Sequence, residues 1–222
     1  MRLNGRTAVI TGGSGGIGNA LAKALVSKGV RVFSIDRQRP EQPVMGVTYL
    51  LADITQPAQV KRALDKVGRV DVLINNAGIM RRGTLFDSSV EDFDALFGIN
   101  VRGSWLVLKC ARLAKRAMVV QITSRHATNP AADPGLYSLT KQTTMHLAEL
   151  VKKTRPGYDV RIVFPGPVDT KLLRYGRSKE SVRRIMRVAL TPEEFAAKVV
   201  RFLRGDKKRL LFDERKWAYH IA

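Results

Sequence analysis

Short hydrophobic runs alternate along this chain with longer stretches in which apolar residues repeat at the spacing of an α-helix. The hydrophobic runs predict seven strands, and several of them are apolar almost throughout, as in strands covered on both faces of a sheet. They span residues 7–11, 30–36, 47–52, 70–75, 117–123, 160–164 and 209–212. The helical patterns between them span residues 16–28, 57–67, 90–115, 136–153 and 192–203.

The order of these elements indicates one fold class. Repeated strand–helix alternation implies right-handed crossovers and a parallel sheet. We therefore expect an α/β, single-domain Rossmann fold over residues 1–222: a doubly wound parallel sheet of about seven strands with helices on both faces. Thr191 and Glu194 flank a proline in the pattern of a capping box, which fixes the start of the last helix. Ligands of such sheets bind at the carboxyl ends of the strands.

Composition narrows the setting of this domain. The sequence has neither a long apolar membrane span nor a leader-like apolar stretch at its start, and Cys110 is its one cysteine. We expect a cytoplasmic protein with no membrane partner, and a packing role for Cys110. The net charge is +20, but the basic residues are scattered, so a solvated basic surface is favoured over a nucleic-acid site.

A glycine-rich turn after the first strand predicts a dinucleotide site. Residues Gly12-Gly-Ser-Gly-Gly-Ile-Gly18 follow strand 7–11 and open helix 16–28, the context in which backbone N–H groups meet a pyrophosphate. Asp36 ends the next strand, 18 positions after Gly18, which suits a carboxylate bound to the adenosine ribose. The binding residues expected here are Gly12, Ser14, Gly15, Gly16, Ile17, Gly18, Asp36 and Arg37.

A tyrosine and a lysine four residues apart predict proton-transfer chemistry. Tyr137 and Lys141 share one helix face, so the ammonium is expected to lower the pKa of the phenol from its reference of about 10, helped by an oxidised nicotinamide. The phenol would then serve as general base or acid. Ser124 follows the strand at 117–123 and is placed to orient a substrate oxygen.

Taken together, these residues closely resemble the short-chain dehydrogenase/reductase family from about residue 3 to residue 213. The motifs that carry the resemblance are Thr11-Gly-Gly-Ser-Gly-Gly-Ile-Gly18, Asp53, Asn75-Asn-Ala-Gly78, Asn100, Ser124, Tyr137-Ser-Leu-Thr-Lys141 and Pro165-Gly-Pro-Val-Asp-Thr170. The resemblance implies a catalytic set of Asn100, Ser124, Tyr137 and Lys141, in which Asn100 holds a water that relays protons to Lys141. It also implies further cofactor contacts from Asp53, Ile54, Asn76, Ala77, Gly78, Tyr137, Lys141, Pro165, Gly166, Val168 and Thr170. No metal site is expected.

The choice between cofactors depends on the end of the second strand. The Asp36 carboxylate would repel a 2′-phosphate, and position 15, basic in many NADP-preferring members of the family, is glycine. Arg37 and Arg39 favour NADP instead, since either is able to pair with that phosphate. On balance we expect NAD to be favoured over NADP.

The substrate side is less defined by motifs. Segment 171–190 is expected to cover the substrate; it is short and basic, and the stretches before Ser124 and before Pro165 are also shorter than is usual in the family. Basic residues that follow the motifs predict an alcohol or ketone substrate with an anionic group, although their abundance alone is an alternative explanation. They are Arg81, Arg82, Arg125, Lys171 and Arg174. His126 is a loop residue, a second acid/base or a substrate contact.

Three functions follow from these observations. The first is a nicotinamide-dependent oxidoreductase that acts on an alcohol/ketone pair. The second is a dinucleotide-binding regulatory protein without turnover, and the third is a basic nucleic-acid-associated protein. The resemblance also implies a homodimer or homotetramer that packs through the segments at 90–115 and 136–153.

Overall fold

Seven parallel strands and one antiparallel strand form a single sheet in the computed structural model, which describes residues 3–213 and 216–222. The strands are β1 (Thr7–Thr11), β2 (Arg31–Asp36), β3 (Val47–Leu51), β4 (Arg69–Asn75), β5 (Arg112–Ile122), β6 (Asp159–Phe164), β7 (Arg209–Asp213) and β8 (Ala218–Ile221). Their order in the sheet is β3-β2-β1-β4-β5-β6-β7-β8. β2 and β3 lie on one side of β1, and β4 and the later strands lie on the other side. The order of the strands therefore reverses between β1 and β4, which is the switch point at which such sheets bind nucleotides.

The helices cover both faces of the sheet. They are α1 (Gly16–Val26), α2 (Pro57–Val67), α3 (Val90–Leu96), α4 (Ser104–Cys110), α5 (Gly135–Thr154), α6 (Lys171–Arg174), α7 (Lys179–Met186) and α8 (Pro192–Arg204), with a π-helical segment at Phe97–Gly103 and a 3₁₀ turn at Arg125–Ala127. In β1, Ile10 packs with the buried residues of α1 and α8, whereas Val9 packs with those of α2. This alternation divides the core between the two faces, as a doubly wound sheet requires. The predicted fold class is confirmed.

The last strand of the sheet was not predicted from the sequence, and the estimate of about seven strands is corrected to eight. β8 is short, and it pairs antiparallel with β7, with Phe212 opposite Tyr219. The ring of Phe212 also contacts Tyr219 and Trp217 edge-on. Because β8 is half polar and outside the strand–helix alternation, its pairing depends on these aromatic contacts rather than on an apolar run.

The predicted helix at 90–115 is wrong in its last part and irregular in its middle. Helix α4 ends at Cys110, and β5 begins at Arg112 rather than at residue 117. Arg112 and Leu113 pair with Arg69 and Val70 of β4, so strand pairing outweighs the helical propensity of this basic segment. The centre of the region is the π-helical segment Phe97–Gly103, which contains Asn100. Such π segments frequently occur at functional sites.

The segment at 171–190 contains two short helices, α6 and α7, which come after β6 in the chain. Ser178 caps α7, its side chain accepting a hydrogen bond from the backbone of Ser181. Among the helices of residues 3–213 and 216–222, none has the length and apolar character needed to cross a membrane.

Candidate active site

A cleft of about 820 Å³ opens at the carboxyl ends of the parallel strands. The glycine-rich turn after β1 forms one wall, and residues that follow β2, β4, β5 and β6 form the others. Every residue expected to contact the cofactor lies in its wall, and so do Ser124, Tyr137 and Lys141. Of the four expected catalytic residues, Asn100 alone lies behind the wall. The cleft thus brings together motifs that are far apart in the sequence.

The backbone of the glycine turn packs so closely at Gly12 and Gly18 that a side chain would not fit at either position. Gly12 has a φ of +69°, and a Cβ atom at this position would lie 2.7 Å from the Cα atom of Ala77. A Cβ atom at Gly18 would lie 2.1 Å from the carbonyl oxygen of Gly12. Asn76 braces the turn, since its Nδ2 donates to the carbonyl oxygens of Thr11 and Gly12 at 3.0 and 3.2 Å. The backbone is therefore exposed to any ligand above the turn.

Asp36 is fixed beside this turn by hydrogen bonds to both of its carboxylate oxygens. The backbone N–H of Ser14 donates to Oδ2 at 3.0 Å, and that of Arg37 donates to Oδ1 at 2.7 Å. The side chains of Arg37 and Arg39 are exposed and also line the cleft. The negative charge of Asp36 thus has a defined position at the end of β2, whereas the two arginines extend into solvent.

Asp53 and Ile54 form the neighbouring wall. The Asp53 carboxylate accepts hydrogen bonds from the backbone and the hydroxyl of Thr55, both at 2.8 Å, which closes a tight turn after β3. Ile54 is buried against Gly103, where a Cβ atom would lie 2.6 Å from its Cδ1 atom. Gly103 therefore allows the π-helical segment to pack closely on this wall.

Tyr137 and Lys141 lie one turn apart on α5, and each is only 5% exposed. The Lys141 Nζ atom is 5.5 Å from the centre of the Tyr137 ring and donates to the carbonyl oxygen of Ile122 at 3.5 Å. The Tyr137 hydroxyl and the Ser124 hydroxyl are hydrogen-bonded. The structure therefore brings three of the expected catalytic residues together in one wall of the cleft.

Burial dominates the protonation of this pair. It raises the pKa of Tyr137 to about 12, although the hydrogen bond with Ser124 opposes that shift. It also lowers the pKa of Lys141 to about 8. The sequence predicted that the lysine charge lowers the pKa of the phenol; without cofactor the net shift has the opposite sign, because removing water penalises both charged forms. Near neutral pH, Tyr137 keeps its proton and Lys141 is mostly charged.

Asn100 links two parts of the site from behind. Its side-chain Oδ1 accepts from the backbone N–H of Ile79 at 2.8 Å, and its Nδ2 donates to the Ile79 carbonyl and to the Thr140 hydroxyl at 3.1 and 3.0 Å. Its backbone carbonyl accepts from the Ser104 hydroxyl at 2.7 Å. Asn100 therefore connects the segment after β4 to helix α5 at Thr140, the residue before Lys141.

The segment after β6 is positioned by the last hairpin of the chain. The backbone N–H of Gly166 donates to the Tyr219 hydroxyl at 2.8 Å, and a Cβ atom at Gly166 would lie 2.5 Å from the Phe212 ring. Thr170 caps α6, and a Cβ atom at Gly16 of the glycine turn would lie 2.8 Å from its Cγ2 atom. Sequence reasoning missed Tyr219, because no motif marks a residue that acts on the site through β8.

Ion pairs hold basic residues that were expected at the mouth of the cleft. Four pairs involve them: Arg81–Asp92 at 3.0 Å, Arg82–Asp133 at 3.1 Å, Arg174–Asp169 at 2.6 Å and Lys171–Glu41. Of the five, only Arg125 and Lys171 line the cleft. Arg177, which the sequence placed only within a generally basic segment, lines it as well. Positive charge on the substrate side of the cleft would therefore come from Arg125, Lys171 and Arg177 rather than from all five of the residues expected.

His126 is part of the wall rather than of an exposed loop. It is buried, its ring meets the Tyr137 ring edge-on at 6.1 Å between centres, and its backbone N–H donates to the Ser124 hydroxyl at 3.2 Å. The signal in the sequence was its position two residues after Ser124. Within the described ranges no group of three or more His, Cys, Asp or Glu side chains is arranged to hold a metal ion.

A parallel sheet with a glycine-rich turn at its switch point, and a buried Tyr–Lys pair in the same cleft, is the arrangement expected of oxidoreductases of the Rossmann class. The family model described as short chain dehydrogenase matches residues 6–181. Oxidoreductase UcpA of Escherichia coli (strain K12) is 33% identical over 191 residues, covering 77% of this chain and 72% of that protein. The chain belongs to the short-chain dehydrogenase/reductase family.

Solved structures agree with this assignment. The 3-ketoacyl-(acyl-carrier-protein) reductase from Brucella melitensis, complexed with NADH, superposes with a TM-score of 0.77 at 25% identity, covering 89% of this chain and 90% of that one. A short chain dehydrogenase from Burkholderia cenocepacia, in complex with NADP, superposes with a TM-score of 0.73 at 31% identity, covering 90% of each chain. Structural relatives thus bind either form of the cofactor.

Proposed function

We propose that this protein transfers a hydride between a nicotinamide dinucleotide and a secondary alcohol/ketone pair, with Tyr137 as general acid and base. The observation that supports it most is that the buried Tyr137 lies with Ser124 and Lys141 in the wall of the same cleft that contains the glycine turn. A proton donor and a dinucleotide-shaped cleft in one cavity are what this reaction requires.

The residues of the cleft fit a dinucleotide. The turn from Gly12 to Gly18 has no room for a side chain at Gly12, Gly13 or Gly18, and its glycine-rich backbone can approach a pyrophosphate. Asp36 offers carboxylate oxygens beside that turn, at the position suited to a ribose. Lys141 and Tyr137 would contact the nicotinamide half, with the segment Pro165–Thr170 opposite them. When bound, the nicotinamide supplies or accepts the hydride.

The chain itself would handle the proton. In the direction of reduction, the Tyr137 phenol donates its proton to the carbonyl oxygen as that oxygen gains electron density, and the Ser124 hydroxyl orients the same oxygen. In the direction of oxidation, Tyr137 accepts the alcohol proton as a phenolate. A charged Lys141 beside the ring lowers the cost of forming that phenolate, against the burial that raises its pKa to about 12.

NAD is the cofactor that the site favours. The Asp36 carboxylate has a fixed position, and its charge would oppose a 2′-phosphate bound next to it. Arg37 and Arg39 are exposed and would have to be ordered to pair with that phosphate, which costs side-chain entropy. Structural relatives are found with NADH and with NADP, so membership of the family does not decide the preference, and the fixed charge of Asp36 is its main support.

The test is a hydride-transfer assay on the full chain. Ketones of graded size are mixed with NADH or NADPH whose transferable hydrogen is deuterium, and the alcohol products are analysed by mass. The proposal expects at least one ketone to yield an alcohol that carries one deuterium on the former carbonyl carbon, faster with NADH. Tight binding of NADH without deuterium transfer to any ketone would instead support a regulatory dinucleotide-binding protein.

A further inference from the structure

The covering segment formed by α6 and α7 places one arginine in the wall of the cleft. Arg177 lies between the two helices and is half-buried. Its Nε donates to the carbonyl oxygen of Leu173 at 2.9 Å, and its Nη1 donates to the Ser181 hydroxyl at 3.2 Å. These two bonds fix the guanidinium while leaving other N–H donors of the group for a ligand, because a guanidinium carries five.

Neither of those partners is charged. Within residues 3–213 and 216–222, no carboxylate lies within ion-pair distance of Arg177. Asp133 is the nearest carboxylate that acts on it electrostatically, and Asp133 is already bound by the Arg82 guanidinium at 3.1 Å and by the backbone N–H of Gly83 at 2.9 Å. Arg177 therefore differs from Arg174 on the same segment, which is paired with Asp169 at 2.6 Å.

Two further guanidiniums lie close to Arg177. Burial lowers its pKa, and the positive charges of Arg82 and Arg125 lower it further, whereas Asp133 raises it. Arg125 follows Ser124 directly and lines the same cleft. The positive charge of Arg177 therefore lies in a partly desolvated place, where its attraction for an anion is stronger than in water.

Apolar residues line the same cleft as Arg177. Leu172, Leu173 and Ile185 of the covering segment line the cleft, and Met80 lines it as well. An apolar surface that ends at a guanidinium matches a molecule with an aliphatic part and a terminal anionic group. Ser124 and Tyr137 line the same cleft, so one substrate can reach both regions.

We propose that Arg177 binds an anionic group of the substrate, a carboxylate or a phosphate, beside the apolar residues of the covering segment. As a statement about substrate class, this inference rests on the proposed function. The binding site itself consists of residues whose contacts are described above for the protein alone, and it can be tested without turnover. Arg177 would act as a specificity residue, and it takes no part in hydride or proton transfer.

The experiment measures binding to the full chain saturated with NADH, which occupies the phosphate-binding turn. Hexanoate, hexyl phosphate and the neutral hexanamide are titrated calorimetrically into the parent protein and into Arg177→Gln, Arg177→Lys and Arg184→Gln. Arg184 is exposed on α7 and does not line the cleft, so it serves as the matched control. Thermal unfolding of each variant verifies that it is folded.

We expect at least one of the two anions to bind the parent about tenfold or more tightly than hexanamide, the scale of a charge-assisted hydrogen bond. The preference should disappear in Arg177→Gln, persist in part in Arg177→Lys and be unchanged in Arg184→Gln. The stronger of the two anions identifies the group. Equal binding of all three ligands, or an anion preference that survives Arg177→Gln, would overturn the inference.

These outcomes are separate from those of the hydride-transfer assay. Anion preference that depends on Arg177, without deuterium transfer to any ketone, would leave the anion site standing and refute the proposed reaction. Turnover of neutral ketones by a protein that shows no anion preference would support the proposed reaction and refute the anion site.

Discussion

The ammonium of Lys141 lies 5.5 Å from the centre of the Tyr137 ring, and both side chains are buried one turn apart on α5. Burial shifts the two pKa values towards the neutral forms, to about 8 for Lys141 and to about 12 for Tyr137. Burial of the Lys141 ammonium lowers the stability of the folded protein, because the charged form loses its hydration. That cost has consequences for stability as well as for chemistry.

The first prediction is that Lys141 lowers stability at neutral pH while it supports turnover. Its pKa is lower in the folded state than in the unfolded state, so the unfolded chain binds more protons between about pH 8 and about pH 10.4. The parent should therefore gain stability relative to Lys141→Met as the pH rises through this window, by on the order of 1–3 kcal/mol.

Urea unfolding of the two proteins at pH 7 and pH 10 measures this difference. Lys152→Met, at the exposed end of the same helix, is the control and should show no such pH dependence. Hydride transfer by Lys141→Met should fall by about a hundredfold. A stability difference between parent and Lys141→Met that is the same at both pH values would contradict the burial of a titrating ammonium.

The second prediction concerns the choice of cofactor. Asp36→Ala should raise the ratio of kcat/KM for NADPH to that for NADH by about tenfold or more, because it removes a fixed negative charge from the site of the 2′-phosphate. Asp36→Asn keeps an oxygen for the Ser14 backbone N–H and should change the ratio in the same direction. If the parent already prefers NADPH, the interpretation of Asp36 is wrong.

The third prediction is a symmetric dimer through α4 and α5. Phe93 and Phe97 stack with ring centres 4.4 Å apart near the exposed Trp105, and Leu139 and Leu150 are exposed along α5. An apolar surface of this kind is expected to be covered by a second copy, despite the +20 charge of each chain. The double variant Trp105→Glu, Leu150→Glu should be monomeric by sedimentation at moderate salt.

The control for that change is Met45→Glu, at a position 93% exposed on a loop away from this face, which should leave the assembly intact. A parent protein that sediments as a monomer would refute the prediction. A double variant that remains a dimer would place the interface elsewhere on the molecule.

Sequence reasoning succeeded where a structural signal is local. Helix α2 spans Pro57–Val67 as predicted, and the capping box of α8 is present, with the Glu194 backbone N–H donating to the Thr191 hydroxyl at 3.2 Å. The residues expected at the cofactor site all line one cleft, because most of them follow parallel strands that end at one edge of the sheet.

It failed where distant contacts decide the outcome. The pattern at 111–116 is as compatible with a helix as with a strand, and pairing with β4 selects the strand. The pairing of strand β8 with β7 depends on the contact between the rings of Phe212 and Tyr219, which forms only when the chain has folded. Arg177 carries no motif, and its importance comes from what surrounds its guanidinium rather than from its position in the sequence.

The central claim, that Tyr137 transfers the proton, is tested most directly by Tyr137→Phe. The measurement is hydride transfer in a single turnover, with NADH binding and thermal unfolding determined in parallel, and with Tyr158→Phe as the control outside the cleft. The account predicts that Tyr137→Phe folds and binds NADH like the parent and transfers hydride about a hundredfold or more slowly, while Tyr158→Phe is unaffected. Hydride transfer by Tyr137→Phe within a few-fold of the parent would contradict it.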